Sequence, residues 1–115
     1  MKPVFIENSR VPVILSYVSP INISAITLGP FIFSRGVMDE VTKRHEEIHW
    51  EQTKELLFFG FWILYFVYWV IGLIKYRSGA FAYQQIPFEQ EAYQNDEDWV
   101  YLLNRKQFAW RKYKV

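Results

Sequence analysis

LLFFGFWILYFVYWVIGLI, residues 56–74, holds no charged side chain, and its reading decides the fold. A straight helix through it would be about 29 Å long, enough to cross the hydrocarbon core of a bilayer. Immediately upstream lies RHEEIHWEQ, residues 44–52, which contains both histidines of the chain, His45 and His49. Whether the apolar run spans or folds back determines what those histidines can meet.

The composition narrows the choices. At 115 residues the chain is one domain, 1–115. A net charge of +1 gives no reason to expect nucleic acid as a partner. Without cysteine there are no disulfide staples and no thiolate metal sites, so histidine and carboxylate must hold any metal. Phe, Trp and Tyr make up 20% of the chain, and a domain this small has little core in which to hide them. Some of the rings in 56–74 should therefore face lipid or a partner, a second copy of the chain included. MKPVFIENSR meets Pro3 and Glu7 too soon for a signal peptide, so any membrane association rests on the apolar run.

His45-Glu46-Glu47-Ile48-His49 is an H-E-x-x-H sequence. On a helix, residues four apart share a face, so both rings can offer a nitrogen to one Zn²⁺. Glu46 then sits beside the metal, placed to take a proton from a zinc-bound water. A catalytic zinc usually has three protein ligands, and with no further histidine the third must be Asp or Glu. The best distant candidates lie in IPFEQEAYQND, residues 86–96, where Glu89 and Glu91 would also suit a helix N-terminus.

The surrounding elements follow from punctuation and period. Residues 1–36 read as short strands: VPVILSYV is β-branched, with Pro12 suited to an edge strand. INISAITL alternates, and Gly29-Pro30 interrupts it before FIF. Asp39 is a candidate N-cap for an active-site helix over 39–59. An apolar helix is expected over 61–77 and a loop over 78–86. A helix opening at Pro87 should run over 87–106, with a restart near Asn95-Asp96, and 107–115 is a basic-aromatic tail.

HEEIHW followed by a helix reading FEQEAY resembles the core of the gluzincin metallopeptidases. Within that family it resembles the membrane-embedded CAAX prenyl endopeptidase and heat-shock endopeptidase group, and also short uncharacterised bacterial and phage proteins with the same minimal arrangement. The resemblance implies that Glu89, on the later helix, is the third zinc ligand. The Asp that the family carries four residues further on falls here at Tyr93, a departure that keeps Glu91 open as the alternative ligand.

A single span would put Glu89 and His49 on opposite sides of the bilayer, because irregular chain cannot return through lipid. The two expectations are reconciled by a turn near Gly60, with 61–76 running back beside the active-site helix. The expected fold is mainly α with a small N-terminal β element (α+β), a minimal zincin-like helical hairpin plus a third helix. The β element would supply a substrate-aligning edge. The expected function is that of a membrane-associated zinc metallopeptidase acting on a peptide or protein substrate, with the hairpin dipping into one leaflet. The expected alternative is a non-catalytic, zinc-stabilised membrane or phage assembly protein. The candidates for steadying the oxyanion are Tyr76, Tyr83, Tyr93 or an arginine.

Overall fold

The strands at the N-terminus make a small platform for the helix that bears both histidines. A computed structural model describes residues 3–17 and 24–115. Strand β1 (Val4–Ile6) lies parallel to β3 (Phe31–Ser34), which pairs antiparallel with β2 (Ala25–Leu28), giving the order β1-β3-β2. The β2–β3 turn is made by Gly29-Pro30, and Gly29 takes the positive φ of 61° that the turn requires. The start of INISAITL and Pro20 lie outside the described residues.

The strand expected at VPVILSYV is instead a short helix, α1 (Val11–Ser16). Pro12 falls in its first turn, where a missing N–H costs no hydrogen bond. Ser9 Oγ accepts from the Val11 amide, and Ser16 Oγ donates back to the Pro12 carbonyl. Local hydrogen bonds and the proline in the first turn thus outweigh the β-branched composition.

Helix α2 (Glu40–Glu55) begins as the sequence suggests, with Asp39 accepting from the Thr42 amide at 2.8 Å. Its inward face carries Glu46, Ile48, His49, Trp50, Gln52 and Thr53. The chain turns after α2 at Leu57 and Phe58, not at Gly60. Both have positive φ, 56° and 67°, which costs a non-glycine residue about 1 kcal/mol or more. The Phe58 ring packs on Trp50, with centroids 5.8 Å apart, and the Phe58 amide bonds the Thr53 carbonyl. Tertiary packing therefore moves the turn away from the residue best suited to it, and Gly60 enters the next helix.

That helix, α3 (Phe59–Tyr76), is long and apolar enough to cross a membrane by length and composition. Little of it is buried inside the protein: Phe61 and Gly72 are, whereas Phe59, Ile63 and Ile74 remain 82%, 66% and 75% exposed. The expected loop over 78–86 is a helix, α4 (Gly79–Gln85). Ser78 caps it by accepting from the Phe81 amide, a signal hidden by the adjacent Gly79-Ala80. Helix α5 (Pro87–Asn95) opens at its proline and stops well short of 106. A turn carries the chain to α6 (Tyr101–Asn104), and the tail contains a 3-10 helix (Ala109–Lys112). Trp110 in that tail is buried against Phe88, with centroids 4.9 Å apart, and joins Phe61 and Ile86 in the core. The tail is thus tied into the fold by an aromatic side chain while its basic residues stay outside.

Helices α3 and α4 approach closely at Gly72. A Cβ there would lie 3.0 Å from the Ala82 Cβ and 3.2 Å from its Cα. Gly72→Ala is expected to force the pair apart and cost about 1–3 kcal/mol. Urea unfolding of the two proteins measures it, and an unchanged midpoint would refute the close contact.

Candidate metal centre

Three side chains from two helices converge on one point. His45 and His49 project from adjacent turns of α2, and α5 carries Glu89 across to them. His45 Nε2 lies 3.2 Å from Glu89 Oε1, and His49 Nε2 lies 3.1 Å from the same oxygen. The three potential ligand atoms all lie within 4.8 Å of one another. His49 and Glu89 are buried, and His45 is partly so.

The far side of each group is held as well. His45 Nδ1 lies 3.1 Å from Asp96 Oδ2, and His49 Nδ1 lies 2.8 Å from Gln52 Oε1. The Tyr65 hydroxyl, from α3, donates to Glu89 Oε2 at 2.7 Å. Every polar atom of the three side chains is thereby assigned, with both Nε2 atoms and one carboxylate oxygen turned toward a common centre. Ligands at about 2.0–2.1 Å from a tetrahedral zinc stand roughly 3.3–3.4 Å apart. The two separations from Glu89 Oε1, 3.2 and 3.1 Å, approach that spacing and the whole set lies within 4.8 Å, so the donor set fits zinc in chemistry and could close on it by small side-chain shifts.

Electrostatics bind the metal-free cluster together. Burial works against charge on His49, but the Glu89 carboxylate beside it outweighs burial and raises its pKa to about 10. His45 is also raised: burial opposes its charge, and the hydrogen bond to Glu89 overcomes this. Burial would likewise neutralise Glu89, yet the two histidines hold it well below the usual carboxylate range. Without metal, the cluster is an ion pair whose protons occupy the place of a cation.

Glu46 is buried beside this group. Thr27 Oγ1, on β2, donates to the Glu46 carbonyl at 3.2 Å and stands 3.5 Å from its Oε2. Burial raises the Glu46 pKa, Glu89 adds to the rise, and the histidine charges oppose it. A cleft of about 1030 Å³ opens over Glu46, His45, His49 and Glu89. Residues 24–27 form part of its wall, and Trp62, Phe66 and Trp69 of α3 form another part.

Glu91, the other acidic candidate, is elsewhere. It is fully buried and receives hydrogen bonds from Gln52, Tyr101 and Arg105, with no contact to either histidine among the described residues. Tyr83 and Tyr93 line the cleft, their hydroxyls 3.2 Å apart, whereas Tyr76 stacks on Phe81. Sequence reasoning missed four supporting residues: Asp96, Gln52, Tyr65 and Thr27. Asp96, three residues beyond Tyr93, meets His45 Nδ1. Helix α5 ends at Asn95, and Arg44 Nη1 grips the Asp96 carbonyl at 2.6 Å, turning the Asp96 carboxylate to His45. Gln52 lies one turn beyond His49 on the same face of α2, a position that helical period gives and a role that it does not.

Comparison with protein-family models, curated proteins and solved structures finds no match to this chain.

The ion pair sets a pH dependence. A histidine raised to about 10 from 6.5 stabilises the metal-free fold fully below pH 6.5, and that contribution fades as pH rises toward 10. Zinc must displace the same proton, so its affinity should rise over this window. Chelator competition between pH 6.5 and 10, with unfolding of the metal-free protein alongside, tests both halves. His49→Ala should remove stoichiometric zinc at every pH, and a wild-type affinity independent of pH would contradict the assignment.

Proposed function

We propose that this protein is a membrane-associated zinc metallopeptidase. The observation that carries the proposal is the meeting of His45 Nε2, His49 Nε2 and Glu89 Oε1 beside buried Glu46 on the floor of an open cleft. A purely structural zinc would need neither the cleft nor a free carboxylate next to the ligands. His45, His49 and Glu89 hold the metal, which when bound acidifies water and polarises a carbonyl.

The chain's own groups do the rest. Glu46 takes the proton of the attacking water and delivers it to the departing amide nitrogen. Its raised pKa makes it a better acceptor than an exposed glutamate. β2 is an outer strand of the sheet, and with Ser24 before it forms one wall of the cleft. An extended peptide can lie against such a strand and present its backbone to Glu46. The hydroxyls of Tyr83 and Tyr93 line the same space and can donate to a developing oxyanion.

Membrane association rests on α3. Its outward face exposes Phe59, Ile63, Val67, Ile71 and Ile74, while Trp69 Nε1 donates to the Gly79 carbonyl and Tyr65 reaches Glu89. A helix fixed along one side by polar contacts and apolar along the other suits burial in one leaflet. Lys75 and Arg77 at its end suit the headgroups.

Two experiments test these parts. Glu46→Gln should keep zinc stoichiometry and lower cleavage of a peptide library by about 10²–10⁴-fold; retained cleavage would rule out this base, and lost zinc would make Glu46 structural. Ile63→Asp combined with Ile74→Asp should release the protein from phospholipid vesicles in a flotation assay while leaving zinc content unchanged. Equal flotation of both proteins would exclude α3 as the anchor.

A further inference from the structure

Behind His49 lies a chain of buried polar groups that touches neither the cleft nor the metal position. His49 Nδ1 meets Gln52 Oε1 at 2.8 Å. The Gln52 amide nitrogen donates to Glu91 Oε1 at 2.9 Å and to the Phe88 carbonyl at 3.0 Å. Arg105 closes the chain, with Nε donating to Glu91 Oε2 at 2.6 Å and Nη2 to Glu91 Oε1 at 3.2 Å. The same guanidinium binds both oxygens of Glu55, at 2.9 and 3.0 Å. Gln52 and Glu91 are 0% exposed.

The order of donors along this chain admits one arrangement. Arg105 has only N–H donors, so it fixes Glu91 as an acceptor. Gln52 and Tyr101 donate to it as well, so both Glu91 oxygens accept, paired with the guanidinium. An ionised carboxylate and a peptide carbonyl both accept only, so the Gln52 NH₂ must face them. Gln52 Oε1 is then left toward His49, and it too can only accept. The His49 proton must therefore sit on Nδ1, and in the neutral ring the lone pair is on Nε2, toward Glu89.

We propose that Gln52 is the positioning residue that fixes the metal-binding tautomer of His49, and that Glu91 and Arg105 act through it by fixing its amide. The inference rests on the metal reading of His45, His49 and Glu89. Glu91 thus acts on the metal position through Gln52, as the anchor of an anchor, not as a ligand. The arrangement also ties the ligand helix to the segment after α5, because Arg105 reaches Glu55 and Glu91 at once.

The test uses Co²⁺ as the probe, followed by its visible absorption and by chelator competition. Wild type should bind one equivalent. Gln52→Leu should weaken binding about 10–100-fold, the usual loss for a partner behind a ligand, and Glu91→Gln should weaken it less, because Phe88 still orients the Gln52 amide. Long-range ¹⁵N–¹H NMR of the zinc-loaded wild type reads the tautomer without any variant and should find the His49 proton on Nδ1. If wild type binds no Co²⁺, the metal reading fails and takes this inference with it. If wild type binds and Gln52→Leu matches it, or NMR finds His49 metallated through Nδ1, the metal reading stands and the Gln52 assignment is overturned.

Discussion

A buried carboxylate must be answered by partners, and the fold is arranged around answering Glu89. It is held by His45, His49 and Tyr65, which come from two helices other than its own. Removing an ion from water costs several kcal/mol unless charge and hydrogen bonds replace the lost hydration. α2, α3 and α5 must therefore meet in one register for Glu89 to be tolerated. The same three-way meeting creates the donor set suited to zinc, so the constraint on folding and the candidate chemistry share a cause.

Around that carboxylate the polar groups form ranks. The inner rank faces the common centre, and the next consists of Asp96, Gln52 and Tyr65, each holding one inner group from behind. Arg44 and Arg105 hold Asp96 and Glu91 in turn. Arg44 does so through a backbone carbonyl, whereas Arg105–Glu91 is a buried ion pair, and such pairs contribute little net stability but penalise misalignment severely. Their use here is geometric: they leave the histidine rings one orientation each. The short C-terminal elements, which contribute little apolar core beyond Trp110, earn their place by carrying Arg105 to this network.

Helix α3 combines two incompatible surfaces on one cylinder. Phe61, Tyr65 and Trp69 turn toward the cluster, the core and α4, and Gly72 allows α4 to close on it. The opposite side is aliphatic and aromatic with no polar partner. A helix made only for a soluble core would bury that side, and one made only for lipid would not carry a hydroxyl to a buried carboxylate. The proposed anchorage in a single leaflet, beside the cleft, would satisfy both sides, which is why the proposed function couples them.

Much of the candidate centre was legible because helical period is a local property. H-E-x-x-H puts His45 and His49 on one face whatever surrounds it, Asp39 caps the helix it begins, and Pro87 opens the helix that bears Glu89. The chain's lack of cysteine restricted the third ligand to a carboxylate. Which carboxylate, and what supports it, depended on contacts between residues distant in sequence. Glu89 and Glu91 differ by two positions and point to different sides of α5, one toward the histidines and the other toward Arg105. Asp96 reaches His45 from just past the end of α5, where Arg44 also holds its carbonyl. The turn fell at Leu57-Phe58 because Phe58 packs on Trp50, a contact that outweighs the backbone preference for Gly60. VPVILSYV became a helix, with Pro12 in its first turn and local Ser9 and Ser16 hydrogen bonds, against its β-branched composition. Sequence by itself determined which groups could share a helix face; tertiary structure decided which buried charges would meet, because that energy depends on distances no local pattern encodes.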